Sequence, residues 1–120
     1  MAKYAHAEGK STYASGEFSH AEGCASASSG DGSHAEGYNS YAEGDYSHAE
    51  GYQSNAKGKA SHTEGGNLYL DGSELSTLPV EYNETTIYVN GPTAVGVQSH
   101  AEGAQTLAYG YSSHAEGYQA

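Results

Sequence analysis

All seven histidines of this 120-residue chain stand in one frame, Ser-His-Ala-Glu-Gly, with Ala5 replacing the serine of the first and Thr63 replacing the alanine of the fifth. The histidines are His6, His20, His34, His48, His62, His100 and His114, spaced 14 residues apart except across one gap after His62. Two residues after each stands a glutamate: Glu8, Glu22, Glu36, Glu50, Glu64, Glu102 and Glu116. Imidazole beside carboxylate can do three things. The pair can ligate a zinc-type ion, move a proton, or form a hydrogen-bonded network. A catalytic or metal centre is ordinarily one preorganised set of unlike residues, whereas seven equivalent frames read as packing. The sequence alone therefore favours a structural His/Glu ladder, with no catalytic residue, no resident metal and no cofactor, so the chain is not expected to be an enzyme. In a network of charged pairs the glutamates would titrate low and the histidines high, and stability would fall on both sides of neutrality.

A fixed short period means a repeat architecture. Beneath the 14-residue period lies a heptad, Ser/Thr-x-Ala-x-Gly-x-x, with Ser28 and Thr63 standing in phase for alanine. A coiled coil is excluded, because its seam needs large apolar residues where this heptad carries Ser, Ala and Gly. With period 2, Ser-x-Ala-x-Gly is instead a five-residue strand with its small residues on one face, followed by a two-residue turn. Two such strands close one coil, too narrow to enclose large side chains, and coils stack as parallel strands about 4.8 Å apart. On one side of each coil the outward residues vary (Tyr13 and Ser15, Tyr41 and Glu43, Leu107 and Tyr109), as solvent permits. On the other they are always His and Glu. Solvent imposes no such identity, so the ladder is expected to face identical ladders around a symmetry axis.

Composition agrees. None of the ten Leu, Ile and Val residues precedes Leu68, so the first half cannot build an ordinary aliphatic core. A net charge of −11 with low hydrophobicity is also a mark of disorder, but disordered tracts have no reason to hold Ser, Ala and Gly in strict phase. Four lysines and no arginine exclude a nucleic-acid partner. Cys24 is the single cysteine, which rules out an intrachain disulfide. No apolar run is long enough for a membrane helix, and no membrane insertion is expected. With repeats running from near Met1 to Ala120, the sequence reads as an excerpt of a longer array.

Across residues 5 to 65 and 93 to 120 the chain resembles the head repeat of YadA-like trimeric autotransporter adhesins, Ser-Val-Ala-Ile-Gly-x-x-Ser-x-Ala-x-Gly-x-x. That resemblance implies an all-β, left-handed parallel β-roll assembled as a parallel homotrimer, with the Val and Ile positions facing the trimer axis. Here those positions hold His and Glu, as in His20 and Glu22, so the fourteen ladder residues named above are expected at a polar axis. The Ser-His-Ala-Glu-Gly variant is also similar to repeats of phage and prophage tail proteins, which implies an extracellular place on a virion tail or a bacterial surface.

The organisation expected is roll repeats over 1–65, an inserted β excursion over 66–92, and roll repeats resumed over 93–120. The interval between Gly65 and Ala94 exceeds the usual one by 24 residues, not a multiple of 14, so the insertion adds no coils. Leu68-Tyr69-Leu70 before Asp71-Gly72, and Thr85-Thr86-Ile87-Tyr88-Val89 before Asn90-Gly91, read as short strands followed by turns. The function expected is a structural trimeric fibre segment. The alternatives are adhesion to a glycan or protein receptor through Tyr69, Tyr82 and Tyr88 of the insertion and exposed Tyr38, Tyr41, Tyr52 and Tyr118, and a polysaccharide-degrading fibre enzyme, for which no isolated acid pair speaks.

Overall fold

The computed structural model describes residues 2–66, 78–82, 85–89, 92–104 and 106–118. Its strands run β1 (His6–Lys10), β2 (Tyr13–Ala14), β3 (His20–Cys24), β4 (Ala27–Ser28), β5 (His34–Tyr38), β6 (Tyr41–Ala42), β7 (His48–Tyr52), β8 (Asn55–Ala56) and β9 (His62–Gly66). Then follow β10 (Leu78–Tyr82), β11 (Thr85–Val89), β12 (Thr93–Ala94), β13 (His100–Ala104), β14 (Leu107–Ala108) and β15 (His114–Tyr118). The seven His-bearing strands form one parallel sheet, β1-β3-β5-β7-β9-β13-β15, and the short strands form a second, β14-β12-β8-β6-β4-β2. This is the all-β parallel solenoid of 14-residue coils that the spacing predicts. Like residues stack on like: His6 on His20, Ala7 on Ala21 and Glu8 on Glu22, then Gly37 on Gly51 and Tyr38 on Tyr52.

The interior is built from small side chains. Ala21, Ala35, Ala49 and Ala101 under one sheet, and Ala42, Ala56 and Ala94 under the other, are fully buried. Serines fill the corners and satisfy the backbone there: Ser19, Ser33, Ser47 and Ser99 donate their hydroxyls to the carbonyls of Gly16, Gly30, Gly44 and Gly96, each at 2.6 Å. A buried hydroxyl without a partner would be costly, so serine suits a corner whose carbonyl points inward. Glycine is required at the end of the His strand. Gly37 has φ +104°, and a Cβ on it would sit 2.2 Å from the Gly51 carbonyl oxygen.

The second side of the coil differs from the expectation of a five-residue strand, being two residues long. The N–H groups of Ser29 and Gly30 both bond the Ala42 carbonyl, at 2.9 and 3.3 Å. One carbonyl serving two successive donors bends the chain out of the extended ladder. The corners use left-handed backbone at non-glycine residues, among them Ala25, Asn39 and Gln53 with φ of 57°, 56° and 56°.

The insertion leaves the stacking unbroken. β9 pairs directly with β13, His62 opposite His100, and β8 pairs with β12, Asn55 opposite Thr93. Within the insertion β10 and β11 pair antiparallel, Leu78 opposite Val89 and Tyr82 opposite Thr85, and among the described residues they join neither sheet. Thr85–Val89 is thus the strand expected, and its partner contains Pro79. Proline is tolerated because each strand of a two-stranded hairpin is an edge. The strand expected at Leu68–Leu70 lies outside the described residues.

Candidate functional site

Alternation along each long strand sends Ala inward and His and Glu outward, and the parallel register turns seven such pairs into two adjoining columns. From His20 to His114 successive imidazoles stack face to face, with centroids 4.7–4.9 Å apart and planes within 8°. His6 meets His20 edge-on, at 86°. Each Nε2 points at carboxylate. His34 lies 3.5 Å from Glu36, and His48 lies 3.7 Å from Glu50. Beyond them each histidine reaches two glutamates: His100 is 3.7 Å from Glu64 of the preceding coil and 3.7 Å from Glu102 of its own.

The ladder is half-buried in the single chain, with His34 and Glu36 side chains 34% and 33% exposed. The Nε2 atoms of His20, His34, His48, His62 and His100 are shut off from solvent without a hydrogen-bond partner, since 3.5–3.9 Å separations exceed a normal N–H···O bond. Alongside runs an open groove lined by the glutamates and the strand-end glycines, from Glu8 and Gly9 to Glu116 and Gly117. Sequence spacing finds the ladder but not the groove, which arises because bare glycine backbone beside each glutamate leaves the flank concave.

The electrostatics depart from those of a simple network. Burial, then repulsion from His34 and His62, holds the His48 imidazole below its ordinary value. A hydrogen bond with the Glu36 carboxyl, then one with Glu8 and burial, raises Glu22. Glu8 is lowered, first by its hydrogen bond to His6. The expectation of low glutamates and high histidines thus fails at His48, where burial and then the imidazoles one coil above and below outweigh the carboxylates, and at Glu22, where the stacked carboxyls and burial outweigh His20.

With the native His48 value below the unfolded one, the unfolded chain binds more protons, so this contribution is present above the unfolded value near 6.5 and is lost as pH falls. Glu22 acts oppositely at lower pH, favouring the fold as it protonates. Thermal melts should therefore show stability declining from about pH 7 to 5.5 with no matching decline from pH 7 to 8.5. A loss confined to the alkaline side would contradict this account.

Of the tyrosines expected to be exposed, Tyr38 is, and it stacks on Tyr52 with centroids 5.1 Å apart. Tyr52 and Tyr41 are half-buried instead. Tyr41 lies down on the surface because its hydroxyl donates to Asn39 Oδ1 at 2.7 Å. Tyr82 and Tyr88 belong to the hairpin strands β10 and β11, Tyr118 ends β15, and Tyr69 lies outside the described residues. Sequence reasoning missed the stacked pair of Tyr4 and Phe18, centroids 5.2 Å apart; their spacing of 14 residues was the available signal.

Among the described residues no helix is long and apolar enough to cross a membrane. No curated protein matches the chain. Residues 28–54 and 93–113, together less than half of the chain, match the YadA head domain repeat in two copies. That family is a structural adhesin domain exposed at the surface, not an enzyme family. Stacked 14-residue coils and two copies of the matched repeat make the described solenoid of this chain similar to a YadA head over those residues.

Proposed function

We propose that the chain is a rigid segment of a homotrimeric surface fibre in which three solenoids meet along their His/Glu ladders. The observation that carries this reading is the uniform ladder itself. Of seven identical rungs the five between the ends are half-buried in one chain, with five Nε2 atoms closed off and unpartnered, beside a groove that runs the length of the sheet. A neighbouring copy would supply donors and acceptors to that face, and a threefold axis makes all three contacts equivalent. YadA-like heads are homotrimers, and the resemblance implies that the positions occupied here by His and Glu are those that face their axis. The resemblance of the Ser-His-Ala-Glu-Gly variant to phage tail repeats favours a virion fibre over a bacterial surface.

Two variants test the contact. Glu36→Lys with Glu50→Lys should weaken association at least ~100-fold, because it places cations against the histidine columns of three chains. His34→Val, Glu36→Ile, His48→Val and Glu50→Ile together should keep the mass of the assembly, since they restore the apolar axis. Unchanged mass in the lysine variant would defeat the proposal.

The hairpin of β10 and β11 supports a second reading, adhesion. Among the described residues the pair of β10 and β11 joins no other sheet, and two strands alone are marginal in water, so a surface that covers them would stabilise them, and a receptor would serve through Tyr69, Tyr82 and Tyr88. Glycan-array binding abolished by deleting residues 67–91 would favour adhesion over a bare structural role.

A further inference from the structure

Within one chain the ladder leaves a local problem of its own. Around the junction of β9 and β13, His100 Nε2 lies 3.7 Å from Glu64 Oε1 and 3.7 Å from Glu102 Oε2. His62 Nε2 lies 3.9 Å from Glu64 Oε2. These gaps are too long for hydrogen bonds. They fit donors around one cation. Two ligands each about 2.0–2.2 Å from a zinc-type ion stand roughly 3.4 Å apart at the tetrahedral angle and up to about 4 Å apart when the angle opens. The ligand atoms of His62, Glu64 and His100 all lie within 4.8 Å of one another, so inward shifts of under about 1 Å each would bring them to that range.

We propose that His62, Glu64 and His100 hold a divalent transition-metal ion, with Glu102, whose Oε2 lies 3.7 Å from His100 Nε2, swinging in as the fourth ligand. Imidazole nitrogen selects zinc, cobalt or nickel over magnesium and calcium, which prefer oxygen alone. All four ligands come from one chain, so the site stands whether or not the trimer forms. Closing on the ion tilts the His62 and His100 rings out of their parallel stack, in which the centroids are 4.7 Å apart.

The same clusters recur as His6, Glu8 and His20, and as His34, Glu36 and His48. The cluster of His100, Glu102 and His114 shares His100 with the proposed site, and ions one coil apart would repel strongly at about 4.8 Å. Filling alternate gaps doubles that distance. Seven rungs therefore take about three ions per chain, one for every two coils. The repetition that argues for packing thus also fixes a stoichiometry, which packing alone does not.

The test uses the untagged full chain, stripped with a chelator and dialysed. Calorimetric titration with Zn²⁺ should give about three ions per chain at micromolar Kd, with Mg²⁺ giving none, and Co²⁺ should develop tetrahedral absorption bands. Glu64→Gln with Glu102→Gln should remove about one ion per chain while the other sites bind as before. In the unsubstituted chain, Zn²⁺ should shift the imidazole Nε2 resonances of His62 and His100, a readout that survives if the variant does not fold. Zn²⁺ binding no tighter than millimolar, a stoichiometry unchanged by the double substitution, or unmoved Nε2 resonances would each overturn the proposal.

Discussion

Gly37→Ala should be among the most damaging single substitutions in the solenoid, lowering stability by about 4 kcal/mol or more and the Tm by at least ~15 °C. Two costs add. The residue has φ +104°, where an L side chain is strained, and its new Cβ would lie 2.2 Å from the Gly51 carbonyl oxygen. That oxygen cannot retreat, because β5 and β7 are in register and the next coil fixes it. Gly117→Ala separates the costs, since Gly117 has φ +106° but, among the described residues, nothing within 4 Å of an added Cβ. It should lose only the backbone part, about 1–3 kcal/mol. Equal effects from the two substitutions, read by thermal melts, would show that stacking of coils is not what demands glycine.

Ala49→Leu should cost about 3 kcal/mol, a fall of roughly 10 °C or more in Tm. Ala49 is fully buried in a cluster with Ala35, Ala42 and Ala56. In an ordinary core a larger apolar residue is often absorbed by shifts of neighbouring side chains. Here the neighbours are methyl groups, hydroxyls and backbone, with no side chain able to move aside, so the coil must open and break bonds to the coils on either side. Tyr13→Ala, at an exposed position of a short strand, should change Tm by no more than a degree or two. A well-tolerated Ala49→Leu would show that the coil holds more interior space than described.

Most of the architecture was legible because a thin coil leaves the sequence so little freedom. Ser, Ala and Gly at fixed phase gave the inward face, and period 2 then placed His and Glu together outside. The 24-residue excess in one interval showed that the insertion departs and returns without adding a coil, and the pairing of His62 with His100 agrees. The two-residue strands on the other side were not legible, because Ser-x-Ala-x-Gly is the same on both sides and the shared Ala42 carbonyl that bends the chain is a three-dimensional fact. The left-handed corners were equally hidden, since Ala25 and Gln53 carry no turn signal. The direction of the His48 shift was missed because sequence pairs each histidine with its own glutamate, whereas the fold half-buries the imidazole and adds two histidines, one coil away on each side.

If the ladder is uniform because it meets copies of itself, light scattering on the full chain at neutral pH should find a particle of about three times the 12.4 kDa chain mass. A particle of one chain mass at every concentration measured would show that the ladder meets no copy.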